Sequence, residues 1–114
     1  MTHTLRTIFI SITLLLIAAC SATAFHVGND FDVMAFSNKV TRGTTSQTDV
    51  RSWLGAPSST GVRIETDGAR YEEWTYYFAA GTLSNVSGTQ LKSLQIKYDP
   101  RGIVQGYNWS VPAQ

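Results

Sequence analysis

The chain has 114 residues, of which 43% are hydrophobic, 11% aromatic and 15% charged, and its formal net charge is +1. This length suits one small domain behind a targeting segment. The low charged fraction excludes a polyelectrolyte tail or a coiled coil. Because the charge is nearly balanced, nothing indicates a nucleic-acid partner or a polybasic membrane patch.

The first 19 residues are typical of a bacterial secretory signal peptide. Arg6 and the amino terminus supply positive charge, and the run from Ile8 to Ala19 is apolar apart from two hydroxyl residues. A transmembrane helix needs about 20 apolar residues, so this run is too short to span comfortably. Small and polar residues follow it, which favours cleavage. We therefore predict an exported protein from which residues 1–19 are removed.

Two cleavage sites compete, and they give different mature proteins. The segment Ile17-Ala18-Ala19-Cys20 resembles the lipobox of bacterial lipoproteins, which implies that Cys20 becomes an acylated first residue. The segment Ala22-Thr23-Ala24 is an ordinary small-x-small site, which would release a soluble protein that begins at Phe25. We favour the lipobox because the only cysteine of the chain lies where acylation requires it.

The lipobox implies attachment to a membrane, since a multiply acylated cysteine anchors a protein stably where one acyl chain does not. In bacterial lipoproteins an aspartate directly after the acylated cysteine resembles a signal for retention in the inner membrane. Here Ser21 follows Cys20, which implies a location on the periplasmic face of the outer membrane. We expect residues 20–30 to be the lipidated N-terminus and a short tether. Residues 31–114 are then the folded domain, which no disulfide can stabilise.

Helical periodicity occurs twice in this domain. From Asp32 to Val40, apolar residues recur at every third or fourth position, which predicts a short amphipathic helix. A second helix is expected to begin at Ser46, which with Asp49 has the spacing of a capping box. It should end at Gly55, which tolerates a left-handed backbone, before Pro57.

Alternating apolar and polar residues follow the helices. They predict strands from Tyr71 to Ala79, from Leu91 to Tyr98 and from Ile103 to Trp109, with a short strand or extended loop around residues 62–64. The Gly/Ser/Asn/Thr-rich residues between the first two strands predict a loop. The expected fold class is α+β, with two short N-terminal helices packed on one face of a three- or four-stranded antiparallel sheet.

The domain has few side chains of the types that usually catalyse reactions. The two histidines are His3, in the signal segment, and His26, in the expected tether. A Ser–His–Asp or Cys–His arrangement therefore lacks its base, and a zinc site lacks its usual ligands. Glu72 and Glu73 are adjacent, but successive strand residues face opposite sides of a sheet. We expect no enzymatic activity, no catalytic residue, no metal site and no cofactor.

One strand separates the aromatic residues between two faces. Trp74, Tyr76 and Phe78 are expected to face the core, whereas Tyr77 projects from the opposite side. If helices cover only one side of the sheet, the Tyr77 side is available to a protein partner. The residues that we predict to form this partner-binding face are Thr75, Tyr77, Gln95 and Lys97.

Several motifs behind the lipobox together resemble the BamE (SmpA/OmlA) family of outer-membrane lipoproteins. They are Asp49-Val50 in the capped helix, Leu54-Gly55-Ala56-Pro57, Trp74-Thr75-Tyr76, Leu94-Gln95-Ile96 and Asp99-Pro100-Arg101-Gly102. The resemblance covers most of the chain from Val40 to Trp109, and it implies a scaffold of two helices followed by strands. The stretch from Ser58 to Arg70 is longer than the connection in the family.

The resemblance implies a non-enzymatic accessory of the machinery that inserts β-barrel proteins into the outer membrane, or a role in envelope integrity. The expected partners are then the membrane, through the lipid on Cys20, and an envelope protein of the β-barrel assembly machinery. A second interpretation stays open. The helix-plus-sheet layout also resembles β-lactamase-inhibitor-protein domains, which would imply a periplasmic inhibitor of a hydrolase.

Overall fold

A computed structural model describes residues 23–112, and these residues form an α+β fold. The two helices and five strands follow in chain order, with both helices between the first and second strands. They are β1 (Ala24–Val27), α1 (Val33–Lys39), α2 (Gln47–Leu54), β2 (Ser59–Ile64), β3 (Arg70–Thr82), β4 (Asn85–Tyr98) and β5 (Val104–Ser110).

Side-chain caps fix where both helices begin. The carboxylate of Asp32 accepts a hydrogen bond from the backbone N–H of Ala35 at 2.9 Å, which caps α1. In α2 the backbone N–H of Asp49 donates to Ser46 Oγ at 3.2 Å, and the N–H of Ser46 donates to Asp49 Oδ2 at 3.0 Å. The predicted capping box is confirmed, and Gly55 ends the helix at φ +78°.

All strand pairs are antiparallel, and β3 has most of them. The sheet order is β1-β3-β4-β5, and β2 also pairs with β3. Strand β2 pairs with residues 70–75 of β3, whereas β1 pairs with residues 79–82. Because β4 occupies the other edge of β3, β1 and β2 share one edge and follow one another along it.

The expected number of strands, three or four, is wrong, because the sheet has five. The predicted strand around residues 62–64 is confirmed as part of β2. Strand β1 is an additional strand, and it lies within the segment 20–30 that we predicted as a tether. The predicted loop after Ala79 is also wrong, since β3 and β4 continue to a tight turn at Leu83 and Ser84. Pairing with a neighbouring strand here outweighs the weak strand propensity of Gly, Ser, Asn and Ala.

One hydrophobic cluster joins helices and sheet. Its buried members come from α1, α2, β3, β4, β5 and the segment before α1, and they are Phe31, Val33, Phe36, Val50, Trp74, Tyr76, Leu94, Ile96, Tyr98 and Val104. The predicted core positions Trp74 and Tyr76 are confirmed, and the third, Phe78, packs against the cluster while partly exposed, as does Trp53. We call the side of the sheet that bears Trp74 the Trp74 face.

The connection between the helices is tied to the end of the sheet. The N–H of Gly43 donates to the carbonyl of Val104 at 2.8 Å, and the N–H of Val104 donates to the carbonyl of Thr45 at 2.8 Å. The first residue of α2, Gln47, donates its N–H to the carbonyl of Gly102 at 2.9 Å. These bonds fix the start of α2 against the turn between β4 and β5.

Trp74 makes three kinds of contact in the core. Its indole Nε1 donates to Glu72 Oε1 at 2.8 Å, its ring meets that of Tyr98 edge-on at 4.9 Å, and the Arg51 guanidinium lies 5.2 Å from its centroid. Only 4% of Trp74 is exposed, against 43% of Trp109.

We predict that Trp74→Ala lowers the free energy of unfolding by about 3–5 kcal/mol, because removal of a buried aromatic residue leaves a cavity in a small core. Trp109→Ala is the matched control and should cost much less, since its ring is already partly in water. Urea unfolding of the two variants measures the difference. Equal losses, or an unchanged midpoint for Trp74→Ala, would contradict this assignment of the core.

Candidate functional site

The four predicted partner-binding residues lie on one side of the sheet, opposite the Trp74 face. Thr75 is paired directly with Gln95, and two residues along the strands Tyr77 is paired with Ser93. Lys97 is paired with Glu73 on the other side of Thr75. Side chains alternate along each strand, so these positions share one side, which we call the Tyr77 face. The sequence therefore placed all four residues together correctly.

Tyr77 is the most prominent side chain of this group, with 39% of its surface exposed. Thr75, Gln95 and Lys97 are half-buried by their neighbours. A tyrosine offers a flat apolar ring and a hydroxyl that both donates and accepts, which suits contact with another protein. The Tyr77 face thus has one exposed aromatic residue, with polar side chains toward Thr75 and the apolar residues Val27, Ala79 and Leu91 on its other side.

The backbone of Tyr77 lies in a gap along the edge of β3, because pairing with β2 stops at Thr75 and pairing with β1 starts at Ala79. Ser58 fills part of this gap. Its Oγ accepts a hydrogen bond from the Tyr77 N–H at 3.0 Å, and the hydroxyl also donates to the Tyr77 carbonyl at 3.4 Å. The Ser58 N–H donates to the carbonyl of Thr75 at 2.8 Å. Both backbone polar groups of Tyr77 therefore have a partner despite the interruption of the ladder.

Gly28 closes the gap from the other side. It follows β1 with φ +76°, and a Cβ at this position would collide with the carbonyl oxygen of Tyr77. Only glycine allows this backbone approach without strain. The end of β1 and the backbone of Tyr77 are consequently packed directly against one another.

Charged residues at the β2–β3 end of the Tyr77 face neutralise one another. Arg63 Nε is 2.8 Å from Glu73 Oε2, and Lys97 Nζ is 3.3 Å from Glu65 Oε1. Lys97 also lies 4.4 Å from the centroid of the Tyr71 ring. Since Lys97 is engaged within the sheet, it is a less available contact than Tyr77.

A shallow depression of about 260 Å³ lies beside these ion pairs. Gln95, Lys97, Gly106 and Asn108 contribute to its lining, and Gly106 supplies no side chain that would fill it. Amide and charged side chains in the lining can form hydrogen bonds with polar groups of a partner.

The Trp74 face has a larger depression of about 620 Å³ near the turn between β4 and β5. Glu72 contributes to it, and its carboxylate accepts hydrogen bonds from Trp74 Nε1 at 2.8 Å and from Gln47 Nε2 at 2.9 Å. The bond from the Trp74 indole, and then that from Gln47, holds the pKa of Glu72 below its ordinary value. Glu72 and Glu73 occupy opposite faces, as expected, and do not form a carboxylate pair.

The segment before α1 is attached to the sheet by Lys92. Its ammonium forms an ion pair with Asp30, donates to the carbonyl of Phe31 at 3.0 Å and lies 5.2 Å from the Phe78 ring centroid. The hydrogen bond from Lys92 lowers the pKa of Asp30 below its ordinary value. These contacts hold the chain that leaves β1 against β4.

Within residues 23–112 there is no group of three or more His, Cys, Asp or Glu side chains that could hold a metal ion. Over the same range, neither helix has the length and apolar character that crossing a membrane would require. The predicted lipid-attachment residue, Cys20, lies outside the described residues.

Comparison with known proteins leaves the family open. No family model matches the chain, and neither a curated protein nor a solved structure is detectably similar to it. The resemblance to the BamE family therefore stays a prediction based on the motifs.

The structure adds residues that the sequence pattern did not single out. Ser58 and Gly28 position Tyr77, and Arg63, Glu65 and Glu73 surround Lys97. A glycine and a serine are common in loops, so neither carried a recognisable signal. The charged residues are evident in the sequence, but their ion pairs depend on the register of β2 against β3, which the sequence pattern does not give.

We predict that Gly28→Ala destabilises the protein more than Gly68→Ala. Both glycines have positive φ, so each substitution should cost roughly 1–2 kcal/mol of backbone strain. Gly68 has open space where a Cβ would lie, whereas Gly28 faces the Tyr77 carbonyl. Urea unfolding of both variants should therefore show an additional loss for Gly28→Ala. Equal losses would mean that β1 moves without cost to the sheet.

Proposed function

We propose that the protein is a lipid-anchored accessory of the outer membrane, attached through Cys20, that uses the Tyr77 face to contact an envelope protein of the β-barrel assembly machinery. The observation that carries this proposal is the exposed Tyr77 among Thr75, Gln95 and Lys97, on a sheet whose other side bears the core. The lipobox-like segment at residues 17–20 and the BamE-like motifs supply the location and the class of partner.

In this proposal both helices cover the Trp74 face alone. Tyr76 Oη donates to the carbonyl of Gly55 at the end of α2 at 2.8 Å, which supports this arrangement. Phe36 of α1 meets the ring of Tyr107 edge-on at 5.2 Å, and Tyr107 is paired with Ile96 on the same face. Burial raises the pKa of Tyr76 to about 12, so its hydroxyl remains a neutral donor. The Tyr77 face is then left for a partner.

A small interface is sufficient for such a protein. Anchoring at a membrane raises the effective concentration of any partner in the same membrane, so a weak contact becomes well populated. The ion pairs on the Tyr77 face are partly exposed to water and contribute little net affinity. Tyr77 is therefore the side chain whose loss should matter most.

We predict that Cys20→Ala prevents membrane attachment, because the substitution removes the thiol that accepts the acyl chains. The variant should be recovered as an uncleaved or soluble protein. Mass spectrometry of the mature amino terminus measures this directly in the wild-type chain. An unlipidated terminus at Phe25 would show that the Ala22-Thr23-Ala24 site is used and that the proposed anchor is wrong.

We predict that Tyr77→Glu abolishes co-purification of β-barrel assembly proteins with the tagged protein, because it places a charge at the centre of the contact surface. Met34→Glu is the matched control, since Met34 is an exposed apolar residue of α1. Mass spectrometry of cross-linked complexes from membranes identifies the partners, and the amount of lipidated protein must stay the same in both variants.

Unchanged recovery of every partner with Tyr77→Glu would refute the proposed contact surface. Recovery of a hydrolase in place of assembly proteins, with inhibition of its activity by the purified protein, would instead favour the inhibitor interpretation. Loss of partners with Met34→Glu alone would move the contact to the helical side of the molecule.

A further inference from the structure

The turn between β3 and β4 lies beside the point where the described chain begins. Ala24, the first residue of β1, is paired with Thr82, the last residue of β3. Immediately before it, the carbonyl of Thr23 accepts a hydrogen bond from the N–H of Leu83 at 3.0 Å. We call residues 82–86 the hairpin tip. The first described residues, Thr23 and Ala24, thus lie against the hairpin tip.

Chain length places the hairpin tip close to the proposed lipid attachment. Three residue steps separate Cys20 from Thr23, and an extended chain spans at most about 3.6 Å per residue, or roughly 11 Å in total. The headgroup layer of a bilayer is on the order of 5–7 Å thick on each side. A tip held this near an acylated cysteine cannot be far from the membrane surface.

The hairpin tip exposes apolar side chains that nothing in the described fold covers. Leu83 is 64% exposed and Val86 is 65% exposed. Their neighbours carry no formal charge, because the sequence contains no Asp, Glu, Lys or Arg between Trp74 and Leu91. The same is true of the segment from Ser21 to Asn29, which includes β1.

The first charged residues after the two uncharged segments lie next to one another in the fold. Asp30 follows the uncharged N-terminal segment and Lys92 follows the uncharged part of β4, and these two residues form an ion pair. The part of the sheet nearest the proposed anchor is therefore apolar or neutral, whereas the ion pairs lie farther away. Charged groups are costly to bring into a bilayer, and apolar groups are favourable there.

We propose that the hairpin tip inserts Leu83 and Val86 into the lipid surface of the membrane that holds Cys20, so that the protein is attached at two points. This inference rests on the proposed lipidation of Cys20. The backbone of β3 suits an interfacial position, since it is hydrogen-bonded to β1 on one edge and to β4 on the other up to the tip. Two attachment points would fix the orientation of the sheet, which a single flexible anchor cannot do.

This orientation leaves the Tyr77 face accessible. Tyr77 is six residues before Leu83 along β3, which corresponds to about 20 Å of strand. That distance exceeds the thickness of the headgroup layer, so Tyr77 would lie on the aqueous side of the membrane surface. The inserted hairpin tip and the proposed protein contact therefore do not compete.

The test uses a fluorophore attached to a new cysteine in the full-length lipidated protein. Acylation blocks Cys20, the only native cysteine, so an introduced cysteine is the single reactive thiol. An environment-sensitive dye is attached to Leu83→Cys, and the protein is reconstituted into vesicles of phosphatidylethanolamine and phosphatidylglycerol. Lipids that carry a spin label on the acyl chain then report contact between the dye and the membrane.

Ile64→Cys is the matched control. Ile64 is also apolar and is 59% exposed, and it is paired with Arg70 at the opposite end of β3, about 40 Å from Thr82. We expect a blue-shifted emission and several-fold stronger quenching by the spin-labelled lipids at position 83 than at position 64. Val86→Cys provides a second probe of the hairpin tip if the first substitution disturbs folding, which the thermal midpoint reports.

Separate measurements test the lipid anchor on Cys20 and the insertion of the hairpin tip. Flotation with the vesicles and the mass of the amino terminus report lipidation, and a protein that fails them refutes the proposed anchor. If the protein floats but positions 83 and 86 respond like position 64, the insertion is refuted and the anchor stands. A blue shift that appears only at high protein density, or only when envelope proteins are added, would show contact with a second copy or another protein and would overturn the insertion.

Discussion

Side chains alternate along β3, and this alternation determines what each side of the protein does. Trp74 and Tyr76 enter the core, while Thr75 and Tyr77 project from the other face. The same strand pairs with β1, β2 and β4, so every strand except β5 is joined to it directly. A one-residue shift of β3 would exchange the two faces, which would bury Tyr77 and expose Trp74. The core and the candidate contact surface thus depend on one register.

The shared edge of β3 creates a second constraint. Because β2 and β1 pair with different parts of this edge, the ladder is interrupted beside Tyr77. Ser58 supplies hydrogen bonds to the unpaired backbone, and Gly28 allows β1 to approach closely. An unsatisfied backbone group at this position would cost free energy, so these two residues stabilise the junction. They also restrict the movement of Tyr77 relative to the end of β1.

The distribution of charge divides the sheet along its length. Ion pairs and polar depressions are found near the β2–β3 and β4–β5 turns, whereas the part bounded by β1 and the hairpin tip contains no Asp, Glu, Lys or Arg. Short-range ion pairs in water contribute little to stability, so this division is not required for folding. It matches instead the two environments that a domain on a membrane surface would encounter, with a neutral end toward lipid and a charged end toward water.

Local signals in the sequence determined the capping box of α2 and the face to which residues 71–79 of β3 and 91–98 of β4 belong. These features depend on neighbouring residues and on the two-residue period of a strand. The sequence also brought Thr75, Tyr77, Gln95 and Lys97 to one face. Tertiary structure decided that residues 24–27 form β1 and that β3 and β4 extend to the hairpin tip, because their weak intrinsic propensity is overcome only by pairing with distant segments. It likewise decided that Thr23 meets Leu83, since that contact depends on the register of two strands far apart in the chain.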